Sequence, residues 1–520
     1  MKTFRRVSQG LFLLLFLFLF IQTEAKGRDE LGYPVRLFLD FDPLIFITTL
    51  LSAHTVARAF YWSLIVIAIT LLLGRVFCGW VCPLGTLNNM VGALGRRRGH
   101  AVGREWHRVK YLILTFLLVS SLFTLQLVGI MDPLSLLIRS LSLGIYPAFN
   151  ATAHAAFDAI YRTDIRGLVG VSEAIYTGLK ETVLAFQQPL YNQAALIGGL
   201  FLLVLGLNLV EKRFWCRYLC PLGALLGILS RFSLLKRSVS EGCSSCGACA
   251  AVCQGGAAPD KGSEWKDAEC CYCLNCDDVC PKNAVSFGFR GKKAAAGMDL
   301  GRRRVVGAMA AGVVAVPLLR VSPLGRPGGS DPRLIRPPGA VDEKEFLKRC
   351  VKCGECMKVC ITNGLQPTLL EAGLEGIWSP VLVPAIGYCE YRCTLCGQVC
   401  PTGAIRQLDQ KEKAKVSIGT AMIDKGRCLP YAHGKPCIVC EEVCPTPKKA
   451  IWLEEVAVKD REGRTAAVEQ PRIDLDLCIG CGICEAKCPV LGKPAIYVTS
   501  IGESRSRENR LLMGSGPYGS

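Results

Sequence analysis

The chain has 520 residues, a net charge of +18 and 51% hydrophobic residues. The apolar residues gather in long runs flanked by lysine and arginine, which excludes an ordinary soluble enzyme and makes the charge a topological signal rather than a nucleic-acid footprint. Its 29 cysteines recur in regular triplets, which neither a disulfide scaffold nor a zinc site built from two C-x2-C pairs requires.

In chain order, Lys2, Arg5 and Arg6 precede an apolar run over residues 11–21, a first membrane helix or a cleaved signal. A second apolar stretch covers residues 44–73, with polar breaks near His54 and Arg58, and ends at Arg75. The next loop holds Arg96, Arg97, Arg98, Arg104, Arg108 and Lys110, which marks it cytoplasmic. A third span is expected over residues 111–131. Residues 132–191 read as a periplasmic excursion with amphipathic helices. A fourth span, 194–210, emerges at Lys212, Arg213 and Arg217.

This region repeats internally. Asp42-Pro43-Leu44 is followed by a span and Cys78-Gly-Trp-Val-Cys82-Pro83-Leu84-Gly85. Asp132-Pro133-Leu134 is followed by a span and Cys216-Arg-Tyr-Leu-Cys220-Pro221-Leu222-Gly223. Packed symmetrically, Cys78, Cys82, Cys216 and Cys220 meet at one membrane face, where they serve as metal or redox thiols or only end helices. Asp42 and Asp132 read as helix N-caps, or as proton acceptors for a quinol.

Residues 243–290 hold two runs near the C-x2-C-x2-C-x3-C spacing: Cys243, Cys246, Cys249, Cys253 and Cys270, Cys273, Cys276, Cys280. Three close cysteines wrap one face of a 4Fe-4S cubane and a distant fourth closes it, often from the other run. The expected sets are therefore Cys243, Cys246, Cys249, Cys280 and Cys270, Cys273, Cys276, Cys253, with Cys271 left over. Residues 291–340 form a linker. It holds Lys292, Lys293 and Arg302-Arg303-Arg304, an apolar run over 305–319, and breakers at Pro323, Gly325, Pro327, Gly328 and Gly329.

Four more runs follow: Cys350, Cys353, Cys356, Cys360; Cys389, Cys393, Cys396, Cys400; Cys428, Cys437, Cys440, Cys444; and Cys478, Cys481, Cys484, Cys488. By analogy with four-cluster electron-transfer subunits, run one is expected to exchange its fourth cysteine with run four, and run two with run three. The last 20 residues read as a flexible tail. The five histidines do not pair as haem ligands, C-x2-C-H is absent, and no G-x-G-x-x-G opens a βα unit, so neither haem nor flavin is expected.

These motifs resemble two ferredoxin families joined in one chain. Residues 1–290 resemble NapH-type membrane ferredoxins. Residues 300–500 resemble the MauM/NapG family, through Arg336-Pro337-Pro338-Gly339-Ala340, the Cys350–Cys356 run, Cys389 to Ile405, and Glu442-Val443-Cys444-Pro445. The resemblance favours an N-terminal helix over a signal, and makes Arg302-Arg303-Arg304 similar to a twin-arginine export segment retained as a fifth helix. Cys253 and Cys360 depart from the pattern, being followed by Gln254 and Ile361 rather than proline.

The expected fold is α+β and multidomain: a four-helix membrane bundle with a fifth linker helix, a two-cluster ferredoxin-like domain and a four-cluster one. The expected divisions are 1–235 membrane, 236–290 cytoplasmic ferredoxin, 291–340 linker, 341–500 periplasmic ferredoxin and 501–520 tail. The six runs predict six 4Fe-4S clusters, and the resemblance implies a multi-pass protein of the bacterial inner membrane. Its function would be quinol dehydrogenation, carrying electrons from the quinone pool to a periplasmic reductase or c-type cytochrome, with no nucleic-acid partner. The alternatives are an accessory, maturation or redox-sensing ferredoxin without quinol oxidation, and a protein with both ferredoxin domains in the cytoplasm.

Overall fold

The computed structural model describes the chain except residues 1, 26–28, 56–57, 96–105, 164, 186, 259–264, 290–300, 321–330, 460–464, 507–508 and 510–520. Arg96, Arg97, Arg98, Arg104, Lys292, Lys293, the breakers at 323–329 and most of the tail thus lie outside the described residues. The described parts form a mixed helix and sheet protein in which a helical body carries two cysteine-rich units.

The first helix, α1, runs Lys2–Gln22. Among the described residues, its Thr3–Gln22 portion is the one helix long and apolar enough to cross a membrane, and the other apolar helices are shorter. The continuous stretch expected over 44–73 is divided into α2 (Pro43–Ala53) and α3 (Ser63–Leu73). The break falls where His54 takes a left-handed φ of 52° and caps α2. Next come α4 (Pro83–Leu94) and α5 (His107–Leu122). The third expected span ends early, at Phe123 and the positive-φ Thr124. The mixed segment is helical as expected, forming α6 (Pro133–Ser140), α7 (Tyr146–Tyr161) and α8 (Arg166–Thr182). The fourth stretch is α9 (Ala194–Val210), followed by α10 (Pro221–Ser230).

The sequence repeat is a structural repeat. Asp42 Oδ1 accepts the amides of Leu44 (2.8 Å) and Ile45 (3.3 Å), and Asp132 Oδ2 those of Leu134 (3.1 Å) and Ser135 (2.8 Å). Proline follows each cap, where its missing N–H costs nothing. Wide π-turns at Phe77–Val81 and Trp215–Leu219 precede Cys82 and Cys220. Each of these cysteines then caps a helix through Sγ, accepting from Gly85 N (3.4 Å) and Gly223 N (3.2 Å). The halves interlock crosswise, α2 against α10 and α6 against α4.

The first cysteine-rich unit is bracketed by antiparallel β1 (Leu235–Val239) and β2 (Val285–Phe289). The linker helix α11, Arg302–Arg320, packs along α5. The second unit is held by three two-stranded antiparallel sheets. β3 (Leu365–Pro367) pairs with β4 (Pro380–Leu382), β5 (Thr420–Ile423) with β8 (Ile496–Thr499), and β6 (Ile451–Lys459) with β7 (Thr465–Ile473).

The two units sit at opposite ends of the helical body. At the start of α1, Arg5 donates to Gln254 (2.9 Å) and Asn275 (3.0 Å) of the first unit. At its far end, Lys358 of the second unit donates to the carbonyls of Phe20 (2.7 Å) and Thr23 (2.6 Å). Twenty-one helical residues span about 31 Å, the thickness of a bilayer core.

Both seams are tight. A Cβ on Gly79 would lie 2.3 Å from the Cys271 carbonyl oxygen, and one on Gly129 only 1.7 Å from that of Val351. At the first seam, buried Glu269 meets Lys110, Tyr111 (2.8 Å), Arg75 (3.5 Å) and His107 (3.5 Å). At the second, buried Arg139 donates to Lys352 O (3.0 Å) and Gly129 O (2.8 Å), while buried Lys352 reaches Gln126 O.

Candidate cluster sites

Each cysteine triplet of the second unit ends in a one-turn helix, such as Glu355–Lys358, Leu395–Val399 or Ile483–Ala486. Glycines at positive φ (Gly354, Gly482) let the chain reverse around the triplet before that turn. Four cavities result, each lined by four cysteines. The first holds Cys350, Cys353, Cys356 and Cys400. The second holds Cys389, Cys393, Cys396 and Cys360. The third holds Cys478, Cys481, Cys484 and Cys444, and the fourth Cys428, Cys437, Cys440 and Cys488.

Runs one and two therefore exchange fourth cysteines, as do runs three and four, which corrects the expected pairing of one with four and two with three. The reason is packing: the turn carrying Cys356 lies on the turn carrying Cys396, and that carrying Cys484 on that carrying Cys440. The x8 spacing after Cys428 is absorbed by a short helix, Leu429–His433.

The donor set suits iron. Burial pushes the thiols of Cys393, Cys440 and Cys481 up to about 12. Thiolates in such places require a bound cation. Among the described residues no three His, Cys, Asp or Glu side chains converge on a single ion. Four cysteines around one cavity instead match a cluster, whose irons hold the thiolates apart.

The cavities stand in file. Cys356 and Cys396 are electrostatic neighbours across the first and second. The Cys389 amide donates to Cys481 O (2.8 Å) between the second and third. Cys484 neighbours Cys440 between the third and fourth. The first cavity adjoins the helical body through Val351 and Lys352. The fourth lies at the surface beside exposed Ile438. A clasp over the first is held by buried Arg336, which donates to Glu343 (3.0 and 2.6 Å), Ser379 (2.9 Å) and Pro380 O (2.7 Å).

In the first unit, Cys253 packs with Cys270 and neighbours Cys276, while Cys243 and Cys246 are exposed. Cys78, Cys82, Cys216 and Cys220 come together as mutual electrostatic neighbours. Cys271, left over in the spacing, is buried at the first seam beside Cys78. Arg75 and Arg213 are buried against these thiols, and Arg213 leaves Nε and Nη2 without a partner. Buried cations suit an anionic cluster here. Asp42 and Asp132 lie fully buried facing each other, as N-caps.

Cysteine-lined cavities in file define an iron–sulfur electron-transfer protein of the ferredoxin type. Residues 56–100 and 192–240 match a 4Fe-4S binding domain family, and residues 471–491 match a second 4Fe-4S binding domain family. Over 173 residues the chain is 37% identical to the methylamine utilization ferredoxin-type protein MauM of Methylorubrum extorquens, covering 32% of this chain and 74% of that protein. It is 36% identical over 166 residues to the ferredoxin-type protein NapG of Escherichia coli, covering 32% of this chain and 69% of NapG. It is also 30% identical over 257 residues to the putative electron transport protein YccM of Escherichia coli, covering 47% of this chain and 58% of YccM. The chain belongs to the family of MauM and NapG ferredoxin-type proteins. No solved structure matches it.

Proposed function

We propose that this protein is a quinol dehydrogenase of the bacterial inner membrane, passing electrons from the quinone pool to a periplasmic reductase or c-type cytochrome. The observation that carries the proposal is the file of four cavities, which begins against the helical body and ends at the surface of the second unit. In this reading the six runs hold six 4Fe-4S clusters: four in the cavities, and two in the first unit with Cys243, Cys246, Cys249, Cys280 and Cys270, Cys273, Cys276, Cys253 as ligands. Bound clusters would supply reversible one-electron storage and transfer.

The chain's own residues seat, insulate and align those sites. Arg336 and Glu343 close the first. Lys352 and Arg139 fix it against the helices. The cysteine sulfurs set the spacing between sites. The N-terminal half acts as a NapH-type membrane ferredoxin, with α1 crossing the bilayer and the linker helix α11 packed along α5. The first unit lies in the cytoplasm and the second, exported by the twin-arginine segment, in the periplasm. The C-x3-C-P thiols stand between the first unit and an apolar core that is continuous from Cys82 and Cys220 to Val351 and Cys353, which supports an additional redox site within the helical body.

The test is bleaching of cluster absorbance in membrane vesicles on adding menaquinol or ubiquinol analogues. Bleaching comparable to that by dithionite is expected. No reduction by either quinol removes the dehydrogenase reading and leaves an accessory ferredoxin serving a partner's metal centres.

A further inference from the structure

The helical body and the second unit enclose a cavity of about 250 Å³ between them. Its wall includes Glu24, Tyr146, Tyr191, Lys358, Cys360 and Tyr388. These come from four separate stretches: the end of α1, the start of α7, the approach to α9, and the loops of the second unit's first two runs. None of them was a candidate quinol residue in the sequence. Asp42 and Asp132, which were, are fully buried, spend one carboxylate oxygen each on backbone amides, and do not line this cavity.

Three features of the cavity select one ligand class. First, the volume is slightly under the range of about 300 Å³ and upward for sites that swallow a whole drug-sized molecule, so it suits a ring head whose tail stays outside. Second, the lining combines aromatic and apolar side chains with the charged groups of Glu24, Lys358 and Glu390. Tyr146 Oη donates to Glu24 Oε2 (2.9 Å), and Tyr191 Oη donates to Met357 O (3.0 Å). Third, the wall residues Glu24 and Ala25 follow directly on α1, whose middle carries Leu11, Leu14, Leu15 and Phe18 as an exposed apolar stripe at helical spacing. That stripe provides a track for a hydrocarbon tail. Cys360, which also lines this cavity, closes the second cluster cavity.

We propose that this cavity takes the para-quinol head group of a membrane quinol, with Glu24 as the proton acceptor and Tyr146 and Tyr191 as the residues that orient the ring. The proposal rests on the dehydrogenase reading above and locates its site. Oxidation breaks the two O–H bonds of the quinol and yields a quinone. One proton passes to the Glu24 carboxylate and the other to water at the mouth. The two electrons would leave one at a time to the oxidised 4Fe-4S cluster that Cys360, Cys389, Cys393 and Cys396 would hold, and the downstream acceptor would re-oxidise it along the file. Lys358 acts as a positioning residue: it donates to Phe20 O and Thr23 O and holds the end of α1, and so Glu24, against the wall.

The experiment is photolabelling of the full-length protein in detergent with an azido-naphthoquinone, followed by peptide mapping. It is run beside menaquinol-driven bleaching of the clusters. Label on the peptides carrying Tyr146, Tyr191 or Lys358, competed away by menadione, is expected. Tyr191→Trp, which fills the cavity, should abolish that label. Glu24→Gln should keep it while slowing quinol-driven bleaching about a hundredfold. Dithionite-reducible absorbance checks that each variant retains its clusters. Label confined to the Asp42 or Asp132 peptides, or Glu24→Gln bleaching at the native rate, overturns the site while quinol-driven bleaching of the native protein upholds the dehydrogenase reading. Label in the cavity without bleaching of the native protein overturns both.

Discussion

Arg336→Met is the substitution whose cost the structure defines best. Arg336 is 1% exposed and holds the clasp over the first cluster cavity. The change removes two charged hydrogen bonds to Glu343, one each to Ser379 and Pro380 O, and a cation seated 4.5 Å from the Phe346 ring centre. Arg505 still meets Glu343 at 2.9 Å, so the carboxylate keeps one partner. The loss therefore falls at the lower end of what breaking a buried pair costs, about 3 kcal/mol. That corresponds to about a hundredfold more frequent opening of the clasp.

Two amides report that opening: Val341, bonded to Ala404 O (3.1 Å), and Arg406, bonded to Gly339 O (2.8 Å). Their hydrogen exchange should accelerate about a hundredfold, and the visible absorbance should bleach faster in air. Acid adds an independent check. Burial pushes the Glu343 carboxyl up, but Arg336 and Arg505 outweigh it and hold it down to about 2, against an ordinary 4.5. The folded value lies below the unfolded one, so this contribution, about 3 kcal/mol, is complete above the ordinary value and is lost as pH falls through the folded one. Arg336→Met should flatten that acid limb. Native exchange rates in Arg336→Met, or Arg336→Lys behaving as the native protein, would refute the argument.

Cys400→Ala should cost about four irons and release Cys350, Cys353 and Cys356 to alkylation; alkylation of Cys428, Cys437 and Cys440 instead would restore the run-two and run-three pairing. Gly129→Ala has no room for its methyl against Val351 O, so the second unit should be pushed off the helices, read as faster proteolytic release of residues 341–500 from the helical body. Glu269→Ala leaves Lys110 and Arg75 buried without their carboxylate. It should cost about 3–5 kcal/mol, seen as faster hydrogen exchange throughout the first unit. Iron and acid-labile sulfide should reach about 24 per chain for six cubanes and about 28 if the C-x3-C-P thiols hold a seventh; replacing Cys78, Cys82, Cys216 and Cys220 with alanine distinguishes the two.

Much of the local structure was readable from residue order. Asp42-Pro43 and Asp132-Pro133 start helices because a carboxylate and a following proline satisfy and spare the first amides. Residues 194–210 form α9 because a nearly continuous apolar run of that length, with Asn208 its one amide side chain, has no better local state. The cysteines of each triplet line a single cavity because most are separated by only two or three residues, and the longer loop after Cys428 is folded back by a short helix. The family was likewise carried by short segments such as Cys389 to Ile405.

Other features depend on which surfaces meet. All four runs of the second unit end in an equivalent fourth cysteine, so spacing is silent on which triplet each completes; the stacking of the one-turn helices decides it. Cys271 lacks a place in any spacing pattern, and only the seam at Gly79 brings it to Cys78. The stretch over 44–73 is apolar enough to read as one helix, yet a left-handed residue at His54 divides it so that α2 can pack on α10. The cavity of Glu24, Tyr146, Lys358 and Cys360 draws on residues more than 300 positions apart. Sequence determined what each segment could bind or cap, because those interactions are made within a few residues. Tertiary structure decided which segments share a site, because that depends on surfaces that meet only when the helical body and both units have docked.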